Sequence, residues 1–351
     1  MGTTKLSRFL RRVLGVVAVA YLAALVVLTL SLTLIGERWW LTTAMLYLPR
    51  APLLLPLPFL MLLALLARSR VLLVTQMAAL LLILFPLMGL RWSWGRAPTS
   101  NTLRLRVLTL NVNTSSWGTP LILRQLERVR PDVMVFQEIG PHDGDRLAAS
   151  LKGYVRHLDD QFLAASRYPI IDVFVPPKIE VGGTLRSARF RRYRLQTPAG
   201  LIHVYNVHPM SPREALDRLR GNGIREGLSS GRLLRLTDPP DLAGNSALRL
   251  AQLKAVADDA RSSPYPVIIA GDTNLPQLSW ALWYVLGDFR DGFDEVGSGF
   301  GFTYPMSRRG PWMRIDRILA GPELRFTAFE VLEPPVSDHL AVVADLELPR
   351  N

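Results

Sequence analysis

The chain has 351 residues, enough for one large domain plus an accessory segment or for two modest domains. It contains no cysteine, which excludes disulfides and thiolate metal sites. The net charge of +12 is typical of nucleic-acid-binding proteins, but the charge is unevenly distributed. Residues 1–96 hold ten basic residues and one acidic residue, whereas residues 97–351 hold 31 basic and 28 acidic residues.

Three uncharged apolar runs occupy the first part of the chain, at residues 13–35, 51–67 and 71–90. The first is 23 residues long, enough to cross a bilayer core of roughly 30 Å as a helix. A cleaved signal peptide is the alternative, but this run exceeds a typical signal-peptide core and two more runs follow it. We therefore expect residues 1–96 to be a membrane anchor with about three transmembrane helices.

The positive-inside rule gives an expected orientation. Four basic residues before the first run favour a cytoplasmic start, and Arg68 and Arg70 favour a cytoplasmic turn before the third run. Arg38 and Arg50 would then lie in the outer loop, against the rule. Three crossings of a bacterial-type plasma membrane would place the rest of the chain outside the cytoplasm. If the second run is re-entrant and does not cross, the rest of the chain would lie on the cytoplasmic side.

Beyond a polar linker at 91–101, predicted strands alternate with predicted helices, which indicates one α/β domain over residues 97–351. Alternating or continuous apolar residues predict strands at 103–113, 132–138, 201–208, 266–274, 313–320 and 338–348. Helical spacing predicts helices at 120–130, near 143–151 and at 247–263. The TPAG turn at 197–200 predicts a hairpin, and residues 211–246 are irregular.

Polar side chains accumulate where these predicted strands end. They are Asn111, Asn113, Glu138, Asn206, His208, Asp272, Asn274, Asp316, Asp338 and His339. Each alone has an ordinary explanation as a strand terminator or loop residue. Together they predict a site that binds a hard cation such as Mg²⁺, with Mn²⁺ as a second possibility, because oxygen ligands suit these ions. A histidine beside an acid adds proton transfer near neutral pH.

At these positions the sequence resembles the endonuclease/exonuclease/phosphatase superfamily of metal-dependent phosphohydrolases. The matching motifs are LNVN, FQE, ASRYPI, NVHP, AGDTN, RIDRIL and SDHLAV, in the family's order across residues 103–345. The resemblance implies a four-layer α/β sandwich in which two facing mixed β-sheets are flanked by helices. It also implies a Mg²⁺-dependent hydrolase whose site lies at the ends of the sheets.

The resemblance implies a role for each matching residue. Asn111 and Glu138 resemble the metal-binding pair, and Asp338 could contribute to the metal or water shell. Asp272 resembles the residue that orients or deprotonates the attacking water. The expected phosphate-binding residues are Asn206, His208 and Asn274. His339 resembles the catalytic histidine, which Asp316 would orient.

Two features depart from the family pattern. Asn113 stands where some nuclease members carry an aspartate, which weakens a two-metal mechanism and disfavours a DNA-repair nuclease. Residues 209–246 match no motif of the family, and substrate selection could depend on them.

An arginine-rich segment precedes the TPAG turn and has two possible explanations. Its arginines are Arg186, Arg189, Arg191, Arg192 and Arg194. They could protect a solvated edge strand from pairing with other chains, or they could form a platform for phosphates or anionic headgroups. The near balance of charge in residues 97–351 favours a nucleic-acid groove less than either of these.

Tethering to a bilayer favours a lipid-borne phosphoester or pyrophosphate as the substrate. On its architecture the chain also resembles the membrane-anchored bacterial branch of the superfamily, which includes teicoplanin-resistance-type membrane phosphatases. The enzymatic alternative is an extracytoplasmic nuclease acting on DNA or RNA. A non-catalytic binding module is the third hypothesis and would require losses among the matching residues, none of which is lost.

Overall fold

The computed structural model describes residues 2–115, 117–218, 240–306 and 310–349. The chain divides into two compact units. One comprises Met1–Leu90 together with Leu278–Trp280, and the other comprises Arg91–Gln277 and Ala281–Asn351. Each unit is described by itself below.

The first unit is helical. Its helices are α1 (Gly2–Leu34), α2 (Trp40–Leu46), α3 (Pro56–Leu66) and α4 (Arg70–Leu82), and a π-helical turn at Ile83–Leu87 continues α4. Among the described residues, two helical segments are long and apolar enough to cross a membrane: Arg11–Leu34 and Arg70–Leu87. They correspond to the predicted spans at 13–35 and 71–90.

The expected span at 51–67 is not a single straight helix, which corrects the count of about three transmembrane helices. A 3₁₀ turn at Ala51–Leu54 precedes α3, and α3 has only 11 residues. At the helical rise this is about 16 Å, roughly half of a bilayer core. Prolines at 52, 56 and 58 lack the amide donor that a continuous helix requires here. The segments Trp40–Leu46 and Ala51–Leu66 form a pair bent by 84°, which is a third span only if the pair counts as one.

The second unit contains two six-stranded mixed sheets. The strands are β1 (Thr102–Asn111), β2 (Val133–Gln137), β3 (Val155–Asp159), β4 (Phe162–Ser166), β5 (Ile170–Phe174), β6 (Ile179–Val181), β7 (Thr184–Arg186), β8 (Phe190–Thr197), β9 (Gly200–Val207), β10 (Val267–Asp272), β11 (Arg290–Asp291), β12 (Asp316–Ala320), β13 (Arg325–Val331) and β14 (Val342–Pro349). The first sheet has the order β13-β14-β1-β2-β4-β3, and the second has the order β11-β12-β10-β9-β8-β5. One pair in each sheet is parallel, β1 with β2 and β9 with β10. A separate hairpin is formed by β6 and β7.

Helices flank the two sheets. They are α5 (Thr119–Val129), α6 (Pro141–Ser150), α7 (Arg213–Arg218), α8 (Pro240–Arg261), α9 (Trp280–Leu286) and α10 (Gly292–Val296). One buried cluster joins Val107 and Val135 of the first sheet to Ile268 of the second, so the sheets face each other. A second cluster joins the other face of the first sheet to Ile122 of α5 and Leu147 of α6. Two mixed sheets with flanking helices agree with the expected sandwich.

The segment predicted to be irregular, residues 211–246, is described only in part. Helix α7 lies in it and α8 begins at Pro240, several residues before the predicted helix at 247–263. Residues 219–239 lie outside the described residues.

Candidate active site

The polar side chains at the strand ends continue the buried face between the sheets. Side chains on a strand point alternately to opposite faces. On β1, Val107 belongs to the cluster between the sheets and Leu108 to the cluster beneath the helices. The same alternation turns Asn111 toward the opposite sheet. On β10, Ile268 and Ala270 belong to the cluster between the sheets, so Asp272 also points into the space between them. The core therefore ends in a layer of buried polar residues.

Asn206, an expected phosphate-binding residue, lies inside this layer and does not line the cavity. Its side chain is fully buried, and its Nδ2 donates to the carbonyls of Phe136 and Leu163. Its Oδ1 accepts from Nε2 of Gln137 at 2.7 Å. Gln137 also donates to Thr109, so these residues satisfy one another and join the two sheets.

Asn111 connects the two principal carboxylates. Its Nδ2 donates to Oε1 of Glu138 at 3.0 Å and to Oδ2 of Asp272 at 3.2 Å. Its Oδ1 accepts the Asn113 amide at 3.0 Å, which fixes the orientation of the carboxamide. As placed, the amide nitrogen of Asn111 links the two carboxylates, and its oxygen retains a second lone pair beyond the one used by the Asn113 amide.

His208 and His339 approach the same carboxylates from different elements. Nε2 of His208 lies 3.2 Å from Oε1 of Glu138 and 3.6 Å from Oδ2 of Asp272. Its Nδ1 is 2.6 Å from Oε1 of Gln161. Nδ1 of His339 is 2.9 Å from Oδ2 of Asp316, as expected for a histidine oriented by an acid. Nε2 of His339 is 3.9 Å from Oδ2 of Asp272.

The electrostatics of these groups follow from burial and from their neighbours. Burial raises the pKa of Glu138, but His208 and Asn111 outweigh it and hold the pKa at about 2. Burial raises the pKa of Asp272 to about 6, against the opposing effect of His339. Burial lowers the pKa of His339, but the adjoining Asp316 carboxylate outweighs it and raises the pKa to about 9. In the absence of a metal, His339 is thus a cation at neutral pH.

These residues border a cavity of about 240 Å³. Six of the residues predicted from the sequence line it: Glu138, His208, Asp272, Asn274, Asp338 and His339. Asn111, Asn206 and Asp316 are fully buried and do not line it. The strands thus bring the predicted residues together in two layers. One layer lines the cavity, and the other lies buried behind it.

The donor set fits a divalent metal ion. One oxygen each of Glu138 and Asp272 and a ring nitrogen of His208 lie within 4.8 Å of one another, and so do ligand atoms of Asp272, Asp316 and His339. Nε2 of His208 is buried and has no well-directed hydrogen bond within the described part of the chain. Converging carboxylates cost free energy unless a cation lies between them. A metal held by Glu138 and lying close to Asp272 would meet this requirement.

Six residues that line the cavity were not predicted as site residues: Arg189, Met210, Ser211, Arg213, Glu214 and Tyr304. Arg189 and Tyr304 line the cavity, and the Tyr304 ring lies 4.4 Å from the ring of His339. Arg213 lines it from helix α7. Arg189 belonged to the arginine-rich segment but was not distinguished from its neighbours, and nothing in the sequence around Tyr304 or Arg213 indicated a site.

Residues 108–339 match the sequence model of the Endonuclease/Exonuclease/phosphatase family. The match covers well over half of the chain and includes every residue of the site described above. The chain belongs to this family. Members of the family are phosphoester hydrolases that use divalent metals, and the metal-compatible groups found here agree with that chemistry. No curated protein sequence matches the chain.

Solved structures of the Endonuclease/Exonuclease/phosphatase family share the fold. A family protein from Bacteroides thetaiotaomicron is 15% identical with a TM-score of 0.51, over 71% of this chain and 97% of that one. A 3′ phosphatase from Neisseria bound to a product DNA hairpin is 18% identical with a TM-score of 0.51, over 68% and 98%. A mannosyl-6-phosphatase from Bacteroides thetaiotaomicron is 15% identical with a TM-score of 0.50, over 69% and 99%.

Proposed function

We propose that this protein is a membrane-tethered, metal-dependent phosphohydrolase that cleaves a phosphoester or pyrophosphate bond of a lipid-linked or headgroup substrate. The observation that carries the proposal is that Glu138, His208 and Asp272 meet the Asp316–His339 pair at one cavity. Together these residues offer oxygen ligands for a metal ion, a general base and a cationic donor, which are groups that metal-assisted phosphoryl transfer to water can use.

Glu138 is the proposed principal metal ligand, because its low pKa keeps it ionised throughout the physiological range. Asp272 and Asp338 complete the oxygen-rich side of the cavity, which suits Mg²⁺ or Mn²⁺. When bound, the metal neutralises charge on the phosphoryl oxygens and orients the substrate for in-line attack.

The protein residues divide the remaining work. Asp272, held by Asn111 and by the Asn274 amide, orients the attacking water and accepts its proton. Asn274 lies beside it, and its main-chain amide donates to Oδ1 of Asp272 at 2.8 Å, which fixes the carboxylate. His208 and Asn274 contact the phosphoryl oxygens. His339, held cationic by Asp316, stabilises the charge that develops in the transition state.

The membrane and the cavity size support a lipid-linked substrate. Two helical segments are candidate membrane spans, which would concentrate the catalytic unit at a lipid surface. The described residues enclose about 240 Å³, less than the roughly 300–1,000 Å³ of a pocket for a drug-sized ligand. The cavity therefore suits a phosphoryl group whose attached lipid remains outside. We propose that the catalytic unit lies on the outer face, which requires the bent helix pair to act as the second of three crossings.

A nuclease is the second candidate, because one structural neighbour is a 3′ phosphatase bound to DNA. The mannosyl-6-phosphatase shows that the same fold also acts on a sugar phosphate. The fold by itself therefore does not select the substrate.

A substrate screen with the purified full-length chain in detergent tests the proposal. We expect hydrolysis of a lipid phosphate or pyrophosphate with Mg²⁺, loss of hydrolysis in EDTA and recovery with added Mg²⁺ or Mn²⁺. Glu138→Gln, which preserves the side-chain shape, should require far more metal for half-maximal activity. Glu127→Gln, at a position outside the cavity, is the matched control. Activity on nucleic acids alone would favour the second candidate, and full activity in EDTA would exclude the metal assignment.

A further inference from the structure

The five arginines between residues 186 and 194 have different environments in the structure. Arg186 ends β7 and is exposed, so the hairpin carries it into solvent. Arg191, Arg192 and Arg194 lie on β8. Strand β8 is flanked by β9 and β5, so it is not the edge strand that one explanation of this segment required.

Each arginine on β8 is paired with a carboxylate from a different element. Arg191 pairs with Asp159 at the end of β3. Arg192 lies 2.7 Å from Asp259 of α8, and Arg194 lies 3.7 Å from Asp172 of β5. Arg191 and Arg192 therefore link the second sheet to the first sheet and to α8, and Arg194 pairs with a neighbouring strand of its own sheet. None of the three is available as a phosphate platform.

Arg189 differs from all of them. It stands between β7 and β8 with a left-handed backbone, φ +52°, a conformation that non-glycine residues rarely adopt and that concentrates at functional sites. Its guanidinium enters the cavity, where Nη2 lies 3.1 Å from Oε1 of Gln161 and 3.3 Å from Nδ1 of His208. Nη1 lies 3.3 Å from Sδ of Met210.

Within the described residues, no carboxylate lies within salt-bridge distance of Arg189, 4.0 Å. Its contacts are a neutral amide, an imidazole and a thioether, none of which supplies a negative charge. Burial lowers the pKa of Arg189, and the carboxylates of Glu138, Asp272 and Asp160, none within salt-bridge distance, offset this only in part. A half-buried cation without a directly paired anion costs free energy. A structure that holds such a cation in a strained conformation at a cavity is prepared for an anionic ligand.

The position of His208 shows where that anion would lie. One nitrogen of its ring is 3.2 Å from Glu138 and the other is 3.3 Å from Arg189, so a single imidazole separates the proposed metal ligand from the guanidinium. A phosphoryl group can therefore approach a metal at Glu138 with one oxygen and Arg189 with another. Guanidinium groups recognise such oxyanions by paired hydrogen bonds.

We propose that Arg189, oriented by Gln161, binds the oxygens of a tetrahedral oxyanion, namely the phosphoryl group of the substrate and the phosphate product. This inference rests on the proposed function only in naming the reacting group. Arg189 would then select for phosphoryl groups and contribute more to their binding than the arginines of β8 do.

Binding of inorganic phosphate to the full-length chain with Mg²⁺, measured by calorimetry, tests the inference without any turnover. We expect Arg189→Ala to weaken phosphate binding at least tenfold, and Arg189→Lys to weaken it less, because the charge remains while the paired donors are lost. Gln161→Leu should also weaken binding, since the guanidinium and the His208 ring both lose the same acceptor. Arg186→Ala, the matched control in the exposed hairpin, should change binding less than twofold.

Folding and function are separated by further measurements. Thermal unfolding and Mg²⁺ affinity of each variant should stay close to wild type, and if Arg189→Ala does not fold, Arg189→Lys and Gln161→Leu decide the question. The inference is overturned if Arg189→Ala binds phosphate within twofold of wild type. It is also overturned if the wild-type chain does not bind phosphate at millimolar concentration. A wild-type chain that binds phosphate through Arg189 but hydrolyses no phosphoester would refute the proposed function and leave this inference intact.

Discussion

Three residues that border the cavity have left-handed backbones although none is glycine. They are Glu138 (φ +54°), Arg189 (φ +52°) and Asn274 (φ +52°). Each such residue costs on the order of 1–3 kcal/mol, and it persists only where the surrounding structure enforces it. At Glu138 the effect can be traced, because Gln137 already points between the sheets and simple alternation would turn Glu138 toward the helices. The left-handed backbone instead directs its carboxylate to the cavity.

At the same scale, the pairing of His339 with Asp316 predicts how two variants should behave. His339→Ala should reduce kcat by on the order of 10²–10⁴ with little change in KM, because the interaction matters most in the transition state. Asp316→Asn should act in the same direction but more weakly, since the imidazole remains. Steady-state kinetics on the substrate found in the screen would measure both effects.

The double variant tests whether the acid acts through the histidine. His339→Ala with Asp316→Asn should be little worse than His339→Ala alone. Independent multiplication of the two losses would give Asp316 a separate role and contradict the pairing. His142→Ala, at an exposed position on α6, is the matched control and should retain full activity.

The raised pKa of His339 predicts the alkaline limit of activity. A histidine whose pKa rises from 6.5 to about 9 in the folded chain keeps its proton through neutral pH. The raised pKa of His339 contributes to the stability of the folded chain fully below pH 6.5, and this contribution is lost as the pH rises through about 9. Over the same range the imidazole loses the positive charge that is proposed to stabilise the transition state. With saturating Mg²⁺, kcat/KM should therefore decline above roughly pH 9, and in Asp316→Asn the decline should begin at a lower pH. An unchanged alkaline limb in Asp316→Asn would contradict this assignment.

At the scale of elements, the contact between β9 and β10 positions Asp272. Gly271 precedes Asp272 with φ +153°, and a Cβ atom there would lie 2.0 Å from the carbonyl oxygen of Val207. Both strands are part of the parallel pair whose ends carry His208 and Asp272. Only glycine allows the strands to approach this closely, so the spacing of the two site residues depends on it.

Gly271→Ala should force β10 away from β9 and disturb the site. We expect a loss of stability of about 1–3 kcal/mol, as overpacking typically causes, and a fall in activity larger than the loss of folded protein explains. Gly244→Ala in α8 is the control, because no described atom outside the local helix backbone lies within 4 Å of the added carbon and alanine favours helix. Gly271→Ala should lower both the unfolding temperature and the specific activity, whereas Gly244→Ala should leave both unchanged or raise the unfolding temperature. Equal effects of the two variants would refute the requirement for glycine at position 271.

At the scale of the whole molecule, the side of the membrane depends on the bent helix pair. Three crossings would place the basic residues at 5, 8, 11, 12, 68 and 70 on the cytoplasmic side. Two crossings would place those at 5, 8, 11, 12, 91 and 96 there. Either arrangement puts six of the ten basic residues inside, so the positive-inside rule does not separate them.

A reporter fused after Asn351 separates the two arrangements. Under the proposed outer location, an alkaline phosphatase fusion should be active and a green fluorescent protein fusion dark. The same fusions made directly after residue 35, beyond the first candidate span, serve as an internal reference for one crossing. The reverse pattern at the end of the chain would mean that the bent pair does not cross, and would direct the search to substrates on the cytoplasmic side.

Much of the catalytic unit could be predicted from the sequence, because local patterns determine it. Apolar alternation located β1, β2, β9 and β10 to within a few residues, and the TPAG turn produced the hairpin between β8 and β9. Polar residues next to buried strands must lie at the edges of the sheets, so Glu138, His208 and Asp272, which end strands, and His339, which precedes one, were expected together. The structure brings them to one cavity.

Only the tertiary structure decided which polar residues face that cavity and which support it. Asn206 satisfies Gln137 across the two sheets, whereas Arg189 faces the cavity and its neighbours on β8 pair with Asp159, Asp259 and Asp172. These partners come from segments far apart in the chain. A single left-handed residue also redirects its side chain, and no periodic pattern in the sequence reveals where this happens. Which face a residue occupies is local information, but its partner is set by packing between distant segments.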